Sequence, residues 1–234
     1  MFSSECDEQT INQCLAKRVV CICDVILKHP LFKNIEREQT HRLSNIADII
    51  DIEEKQVLFF NLQTIDRICF VLRGRVKLHN SDDNSAREYV YQVLEQGDAA
   101  GLENLYANSS FYPYMATALA PSKILTLEAK EFKELIESDP IIKTNFLEYI
   151  SWLSLNLYGR SKDFVLSDVS ERLLKYLKSQ SGLQGSREFQ LALSKTDLAN
   201  YLGTVSSTLS RAFKELEEGG SIKVTKNIVE LLTS

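Results

Sequence analysis

The sequence predicts an α+β protein, in which a small antiparallel β-barrel or roll is followed by a long helix, two short helices and a hairpin. Three observations support this prediction. Apolar residues recur with a period of two from Ile52 to Leu127, which is typical of short strands. After Pro140, no glycine or proline interrupts a helical pattern until Gly159. The last quarter of the chain then holds two amphipathic segments joined at Gly203.

The strands are preceded by a stretch with helical spacing. Apolar residues between Leu31 and Ile50 predict one or two short amphipathic helices after Pro30. Short strands separated by turn residues follow, and they are expected at 56–60, 67–72, 75–79, 88–94 and 115–127. Many short strands of this kind form a barrel or a roll, because both arrangements protect the sheet edges. A further short helix is expected from Lys130 to about Ser138.

A long helix is expected from Pro140 to about Phe164, because proline is favoured in the first helical turn. A helix of about 25 residues spans roughly 37 Å, which is more than one small domain can cover. Its apolar stripe is therefore expected to be buried between two copies of the chain. The stripe comprises Ile142, Phe146, Tyr149, Ile150, Leu153, Leu157 and Phe164. A long helix that packs within its own domain is the alternative.

The two short helices flank Gly203, which suits a tight turn because a residue without Cβ adopts positive φ at little cost. Ser194 and Asp197 predict the start of the first helix in the manner of a capping box. Ser206 is expected to cap the second helix, and Gly219–Gly220 to end it. The buried face of the second helix is expected to hold Leu209, Ala212, Phe213 and Leu216.

The outward face of the second helix carries short hydroxyls and one arginine, with no acidic residue in its first two turns. Such side chains at the positive end of a helix suit phosphates and base edges in the major groove of DNA. The predicted DNA contacts are Ser206, Ser207, Thr208, Ser210 and Arg211, with Lys195 and Thr196 at the start of the first helix. Alternating residues around Lys226-Asn227 predict a hairpin, which makes the whole a winged helix. An ordinary helical hairpin with a polar face is the alternative.

Several stretches resemble the Crp/Fnr family of bacterial transcription regulators, and more closely its Fnr branch than its cyclic-AMP receptor branch. They are Arg187-Glu188-Phe189, L-S-K-T-D-L-A-N-Y-L-G from Leu193, and S-S-T-L-S-R from Ser206. Upstream, F-V-L-R-G-R-V-K-L from Phe70 and L-E-Q-G-D from Leu94 look like landmarks of the family's jelly-roll domain. The resemblance covers nearly the whole chain from about Leu31.

This resemblance implies four parts. They are a Cys-containing segment at 1–30, a cyclic-nucleotide-binding-like β-roll sensor domain at 31–138, a dimerisation helix and hinge at 139–167, and a winged helix-turn-helix DNA-binding domain at 168–234. It also implies a homodimer that binds palindromic double-stranded DNA, acts with RNA polymerase and is not an enzyme. A dimeric protein-interaction module without specific DNA binding is the alternative function.

The composition fits a cytoplasmic DNA-binding protein in spite of its acidic total. No apolar run reaches the ~18 residues that a membrane span needs, and no basic region precedes an apolar stretch as in a secretory signal. The net charge is −5, but residues from Asp168 onward hold nine Lys/Arg and eight Asp/Glu, so that part carries +1 and the remainder −6. The acidic part is therefore not expected to touch DNA.

A cyclic nucleotide needs a cation for its phosphate, and the relevant segment offers none. Gly101-Leu102-Glu103 approximates the Gly-Glu motif of the cyclic-AMP branch with one extra residue. The segment from Tyr112 to Ala116 stands where that branch has an Arg-Ser pair, and no arginine occurs between Glu103 and Lys123. Cyclic AMP is therefore not the expected effector.

Four of the five cysteines fall within the first 30 residues, and they are Cys6, Cys14, Cys21 and Cys23. The Fnr branch holds an iron–sulfur cluster on such cysteines, with the spacing Cys-x2-Cys-x5-Cys. Here the spacing is Cys21-x-Cys23-x5-His29, so only Cys23 is in register. The candidate ligands of a cluster or another metal are Cys14, Cys21, Cys23 and His29. A thiol redox switch and the absence of any role stay open, whereas Cys69 is expected in the core.

Overall fold

The computed structural model describes residues 27–82, 87–107 and 111–232. These residues form two compact units. The first unit contains residues 27–80 and 92–154, and the second contains residues 81–91 and 155–232. A strand segment from the middle of the chain therefore belongs to the same unit as the last 78 described residues. The domain boundaries predicted at 31, 139 and 168 stay predictions.

The strands of the roll form two four-stranded sheets, which contain the predicted strands and also β1 and β6, which were not predicted. In the described residues the strands are β1 (Ala47–Ile52), β2 (Val57–Phe59), β3 (Arg67–Arg73), β4 (Val76–Asp82), β5 (Arg87–Leu94), β6 (Ala99–Ala100), β7 (Met115–Ala118) and β8 (Ser122–Glu128). One sheet has the order β1-β8-β3-β6 and the other β2-β7-β4-β5, with antiparallel pairing in both. This confirms the predicted antiparallel β-roll.

Strand β3 shows why the sequence pattern of this roll is only partly alternating. Cys69 and Val71 lie in the core that residues of both sheets form. Ile68, Phe70 and Leu72 point to the opposite face, where they pack with residues from helices. Because successive side chains of a strand point to opposite faces, a strand covered on both faces is apolar throughout.

Short helices cover the outer face of that sheet. They are a 3-10 turn (Pro30–Phe32), α1 (Arg37–Asn45) and α2 (Ala129–Ser138). Leu31, Leu43 and Phe132 from these elements are fully or almost fully buried in one cluster with β3 and β8. The predicted helix after the strands is present, and so is helical structure in the stretch from Leu31. The helical prediction is wrong for the last residues of that stretch, because Ile49 and Ile50 pair with β8 in strand β1. The helices close the core of the first unit.

The long helix α3 runs over Pro140–Leu166, close to its predicted bounds. The Asp139 carboxylate accepts hydrogen bonds from the backbone N–H groups of Ile141 and Ile142, both at 2.9 Å, so the first turn is capped. Pro140 occupies the first helical position, where its missing N–H costs nothing. No helix in the described part of the chain is long and apolar enough to cross a membrane.

The second unit holds the predicted helix-turn-helix and hairpin. Its elements after α3 are α4 (Val169–Gln184), β9 (Glu188–Gln190), α5 (Lys195–Tyr201), α6 (Ser206–Glu218), β10 (Ile222–Thr225) and β11 (Ile228–Leu231). The hairpin β10–β11 is joined by β9, a strand that was not predicted, in a sheet of order β10-β11-β9. Helix α4 continues through Gly182 and ends before Gly185, which adopts φ 62°.

Candidate nucleic-acid interface

Local hydrogen bonds set the first helix of the pair, as the sequence predicted. The Ser194 hydroxyl accepts the backbone N–H of Asp197 at 3.1 Å and lies 2.5 Å from its carboxylate. Gly203 adopts φ 64°, and a Cβ atom there would lie 2.5 Å from the Phe164 ring. The turn therefore needs glycine both for its backbone conformation and for its close approach to α3.

The second helix, α6, begins one residue earlier than predicted. Ser206 is its first helical residue, and the N-cap position belongs to Val205, whose side chain makes no capping bond. Val205 is extended at φ −106° and ψ 155°, so the tight turn places the serine already inside the helix. The prediction that Ser206 caps α6 is wrong for this reason. The Ser206 carbonyl instead accepts the Ser210 hydroxyl at 2.9 Å.

Helix α6 presents two different sides. Leu209, Ala212 and Phe213 are buried, and α6 packs against α4 and α5. Ser207, Ser210 and Arg211 lie on the other side at helical spacing and are exposed. This is the amphipathic arrangement that fixes a helix on its own unit and leaves one face for a partner.

The remaining predicted contact residues lie near this face. Ser206 is exposed, and Thr208 is half-buried with its hydroxyl 3.3 Å from an Arg211 guanidinium nitrogen. Lys195 and Thr196 are exposed in the first turn of α5. Within the described residues, Arg211 forms no ion pair, so its charge is not neutralised by a neighbouring carboxylate.

Two arginines that the sequence did not single out support the turn of this pair. The Arg172 side chain donates to the carbonyls of Leu202 at 3.2 Å and of Ser167 at 2.5 Å. Arg160 of α3 donates to the Tyr201 carbonyl at 2.9 Å. Carbonyls at the end of a helix lack partners within it, and cations suit that end. The Leu202 and Tyr201 carbonyls are main-chain atoms 30 and 41 residues away from these arginines, so no sequence signal could identify the two contacts.

In the β-roll, aromatic side chains occupy the region around the motif at 101–103. The Tyr114 hydroxyl donates to the Glu103 carboxylate, and the Tyr112 hydroxyl donates to the Arg67 carbonyl. The Tyr112 ring stacks on Phe59 with centroids 3.8 Å apart. Burial raises the pKa of Glu103, and the Tyr114 hydrogen bond opposes that rise. The groups near the motif are therefore a carboxylate and aromatic rings. The sequence between Glu103 and Lys123 contains no arginine that could pair with a phosphate.

The candidate cofactor ligands are only partly within the described residues. Cys14, Cys21 and Cys23 lie outside them, as does Cys6. His29 is buried, its Nδ1 accepts the Leu31 N–H at 3.2 Å, and its ring lies against Phe70 and Tyr149. Burial lowers the pKa of His29 to about 4.

The described residues do not by themselves fit a metal or a cluster. Within 27–82, 87–107 and 111–232, no group of three or more His, Cys, Asp or Glu side chains could hold a metal ion. Cys69 is buried in the core of the roll, as predicted, and burial raises the pKa of its thiol to about 12. A thiol with that pKa is neither a reactive nucleophile nor a ready ligand.

A winged helix-turn-helix with an exposed hydroxyl-and-arginine face, joined by a long helix to an antiparallel β-roll, defines a DNA-binding transcription regulator. Comparisons with known proteins agree. Residues 49–139 match the family described as cyclic nucleotide-binding domain, and residues 171–232 match the Crp-like helix-turn-helix domain. Together these two ranges cover well over half of the chain.

Individual relatives point to the same family. Probable transcriptional regulator flp of Lacticaseibacillus casei is 27% identical over 208 residues, covering 88% of this chain and 92% of that protein. Transcriptional activator protein anr of Pseudomonas aeruginosa is 26% identical over 195 residues, covering 78% and 76%. The structure of the c-di-GMP responsive global regulator CLP of Xanthomonas campestris has the same fold, with a TM-score of 0.71 at 17% identity over 85% of this chain and 100% of that one. The chain therefore belongs to the Crp/Fnr family of DNA-binding transcription regulators.

Proposed function

We propose that this chain is a homodimer that reads a palindromic double-stranded DNA site with helix α6 and responds to a signal at its β-roll or N-terminal segment. The exposed face of Ser207, Ser210 and Arg211 on α6 supports this most directly. It combines hydroxyl and guanidinium donors with a helix start that carries no acidic residue in its first turn.

Selection from a pool of random duplexes with the full-length chain tests the proposal. We expect enrichment of a palindrome whose two half-sites are about one helical turn apart, because a two-fold dimer presents two reading helices. The alternative function, a dimeric protein-interaction module, predicts no sequence enrichment above the input pool. That result would reject specific DNA reading.

The exposed apolar residues of α3 support dimerisation through this helix. Leu147, Leu155 and Tyr158 share one side of α3 at helical spacing and are 58%, 69% and 74% exposed. The exposed apolar surface of these side chains costs roughly 25 cal/mol per Å² to leave in water. A second copy of the same helix would cover this side, and we propose it as the occupant.

The proposed seam differs from the stripe expected from the sequence. Phe146 was expected between subunits, but it is buried in the core of its own unit with Ile142. Tyr149 is half-buried and packs against the same cluster. The helix is apolar on two sides, and periodicity alone does not separate the side that packs on its own chain from the side that is exposed.

We further propose that the β-roll does not bind cyclic AMP. The Glu103 carboxylate is already hydrogen-bonded to Tyr114, and Tyr112 is stacked on Phe59 in the same core. A cyclic phosphate placed there would be desolvated without a cation. Cyclic AMP at millimolar concentration should leave the melting temperature unchanged, since only a ligand that binds the folded state raises it. A clear rise would contradict this part of the proposal.

The signal proposed for the N-terminal segment is a redox signal at Cys14, Cys21 and Cys23, through an iron–sulfur cluster or through thiol oxidation. It rests on the resemblance to the Fnr branch and on the concentration of cysteines there. Anaerobic purification followed by an absorbance spectrum and an iron assay separates the two chemistries. A colourless, iron-free protein whose DNA affinity is the same in oxidant and reductant would show that these cysteines have no role.

The remaining proposals concern the cellular location of this regulator, its protein partner and whether it is an enzyme. We propose that it acts in the cytoplasm, with RNA polymerase as its partner, and that it catalyses no reaction. The relatives reported above are transcription regulators, which supports all three. Recruitment of RNA polymerase to DNA that carries the selected site, compared with the same DNA and an Arg211→Ala variant, tests the partner.

A further inference from the structure

A single arginine of α3 joins three parts of the second unit. One guanidinium nitrogen of Arg160 donates to the carbonyl of Val90 at 2.8 Å and to the carbonyl of Tyr201 at 2.9 Å. Val90 belongs to β5, and Tyr201 is the last residue of α5. Arg160 therefore connects a strand segment from the middle of the chain to the first helix of the DNA-reading pair.

Aromatic rings surround this guanidinium. Its central carbon lies 4.2 Å from the ring centroid of Tyr201, 5.5 Å from that of Phe164 and 5.6 Å from that of Tyr89. We call Arg160, Tyr89, Phe164 and Tyr201 the Arg160 cluster. Cation–π contact with several rings strengthens as the cation loses water, and it favours a planar guanidinium over a lysine ammonium.

A second, independent hydrogen bond connects β5 to α5. The Asn200 side-chain amide donates to the Glu88 carboxylate at 2.7 Å. Residues 88–90 of β5 are thus held to the end of α5 at two points, one through side chains and one through main-chain carbonyls. A charge-assisted hydrogen bond of this kind is stronger than one between neutral groups.

The Arg160 cluster also supports the turn that sets the direction of α6. Phe164, a member of the cluster, fills the space next to Gly203 in that turn. The exposed residues Ser207 and Arg211 take part in none of these contacts, so the cluster holds the α5–α6 pair without covering its reading face. Loss of the cluster should therefore loosen the pair and leave the reading side chains chemically intact.

We propose that Arg160 is a positioning residue for DNA reading, and that it couples the arrangement of the α5–α6 turn to strand β5. Strand β5 continues from this segment to Leu94, which lies in the core of the β-roll. A change in the roll that displaces β5 would thus alter the turn through Arg160. This inference rests on the proposed DNA reading by α6, and it adds the element through which that reading is adjusted.

Variants at position 160 test the positioning role. Arg160→Lys keeps the charge but loses the planar fork, and Arg160→Ala removes both. The control is Lys162→Ala, which removes an exposed charge two residues further along the same helix. We expect both Arg160 variants to bind the selected site ~10-fold more weakly, a typical coupling effect. Lys162→Ala should bind with wild-type affinity, and binding to a scrambled duplex should be the same for all.

The salt dependence of binding separates positioning from direct contact. A residue that neutralises a DNA phosphate lowers the slope of log affinity against log salt by about 1 when it is removed. A positioning residue leaves that slope unchanged, and this is the result we expect for Arg160→Ala. A reduced slope, or an affinity within twofold of wild type for both Arg160 variants, would overturn the proposal.

Amide hydrogen exchange tests the coupling to β5 directly. Because coupling is reciprocal, specific DNA should raise the protection of residues 88–91 in the wild-type chain, and Arg160→Lys should abolish this response. Without DNA, the same variant should exchange faster at 88–91 than the wild type. This second comparison needs no DNA, so it distinguishes failure of the coupling from failure of DNA reading. Equal exchange in both comparisons would overturn the coupling.

Discussion

Arg211 lies one turn into α6 with its guanidinium exposed and one nitrogen 3.3 Å from the Thr208 hydroxyl. Bidentate contact with a guanine is the commonest specific arginine contact and contributes about 1–3 kcal/mol of discrimination. We therefore expect Arg211→Ala to abolish specific binding at working protein concentrations. Its melting temperature should be unchanged, because the side chain contributes nothing to the buried face of α6.

Lys214 offers a matched control for Arg211. It lies on the same side of α6 one turn later and pairs with Glu218 at 3.5 Å. Lys214→Ala should lower affinity for all sequences to a similar, smaller extent, which would separate general charge from base reading. Normal operator binding by Arg211→Ala would mean that α6 is not the reading helix.

Ser207 is the residue at which this chain departs from the Fnr branch, whose pattern on this helix is Glu-x-x-Ser-Arg. A glutamate there can accept a hydrogen bond from the cytosine amino group, and the shorter serine cannot reach in the same way. We expect relaxed preference at the corresponding base pair, and Ser207→Glu should sharpen it. Binding selection with both proteins measures this. Undiminished discrimination by the wild-type chain would contradict the assignment.

His29 makes the stability of the first unit depend on pH. Its pKa is about 4 in the folded chain, against 6.5 unfolded, because burial disfavours the charged ring. Below pH 6.5 the unfolded chain binds a proton that the folded chain excludes, so stability is full above 6.5 and falls as the pH drops towards 4.

The two pKa values correspond to a loss on the order of 3 kcal/mol across that window. Urea unfolding of wild type and His29→Gln at pH 7, 6, 5 and ~4.5 measures it as a difference, which removes the contributions of carboxyl groups. The difference between the two proteins should shrink as the pH falls. A difference that is independent of pH would show that His29 is not held neutral by its surroundings.

Among the elements, α3 shows what periodicity can and cannot predict. Its start at Pro140 and its length were predictable, because capping and the absence of breakers are local properties. Its two apolar sides were not separable, since one packs against sheet and helices that are distant in sequence. Strand β3 is a similar case. Both of its faces are buried, so its apolar run is continuous and does not show which residues point to which core.

The helix-turn-helix was predictable almost to the residue, because most of the interactions that define it are local in the sequence. Ser194 and Asp197 interact within their own turn, and the positive φ of Gly203 is also a local property, so the sequence contains these signals. The close approach of Gly203 to Phe164 is not local and was not predicted. The start of α6 was missed by one residue, because Val205 stays extended after the turn. The hydrogen bonds of Arg160 are accepted by main-chain carbonyls, which every residue possesses. They could therefore not be predicted from the sequence.

A charge on the exposed side of α3 tests the proposed dimer seam. Leu155 is 69% exposed, so Leu155→Asp should leave the monomer folded but place two like charges close together across the two-fold axis. We expect a monomer in sedimentation velocity with an unchanged circular dichroism spectrum. The control is Asn156→Asp, which adds the same charge on another side of the helix and should stay dimeric.

Leu153 is a poorer site for this test. It is already half-buried in a single copy of the chain, so an acid there would also place a charge in a partly buried position of the monomer. Dimerisation of Leu155→Asp with wild-type affinity would place the seam elsewhere.

At the scale of the whole molecule, charge and function divide along the chain. The part from Asp168 onward carries +1 and the remainder carries −6, so the acidic part repels DNA while the reading unit is nearly neutral. Affinity for DNA should therefore depend on specific contacts at two half-sites more than on general charge. Under the proposed function, specific DNA binding therefore requires both copies of α6.

Fluorescence anisotropy with two duplexes tests that claim most directly. One duplex carries the selected palindrome, and the other is identical except that one half-site is scrambled. At the same salt concentration we predict that the full palindrome is bound at least ~10-fold more tightly, because the second reading helix loses its specific contacts on the scrambled half. Equal affinity for the two duplexes would contradict the account of this protein as a dimeric, sequence-specific regulator.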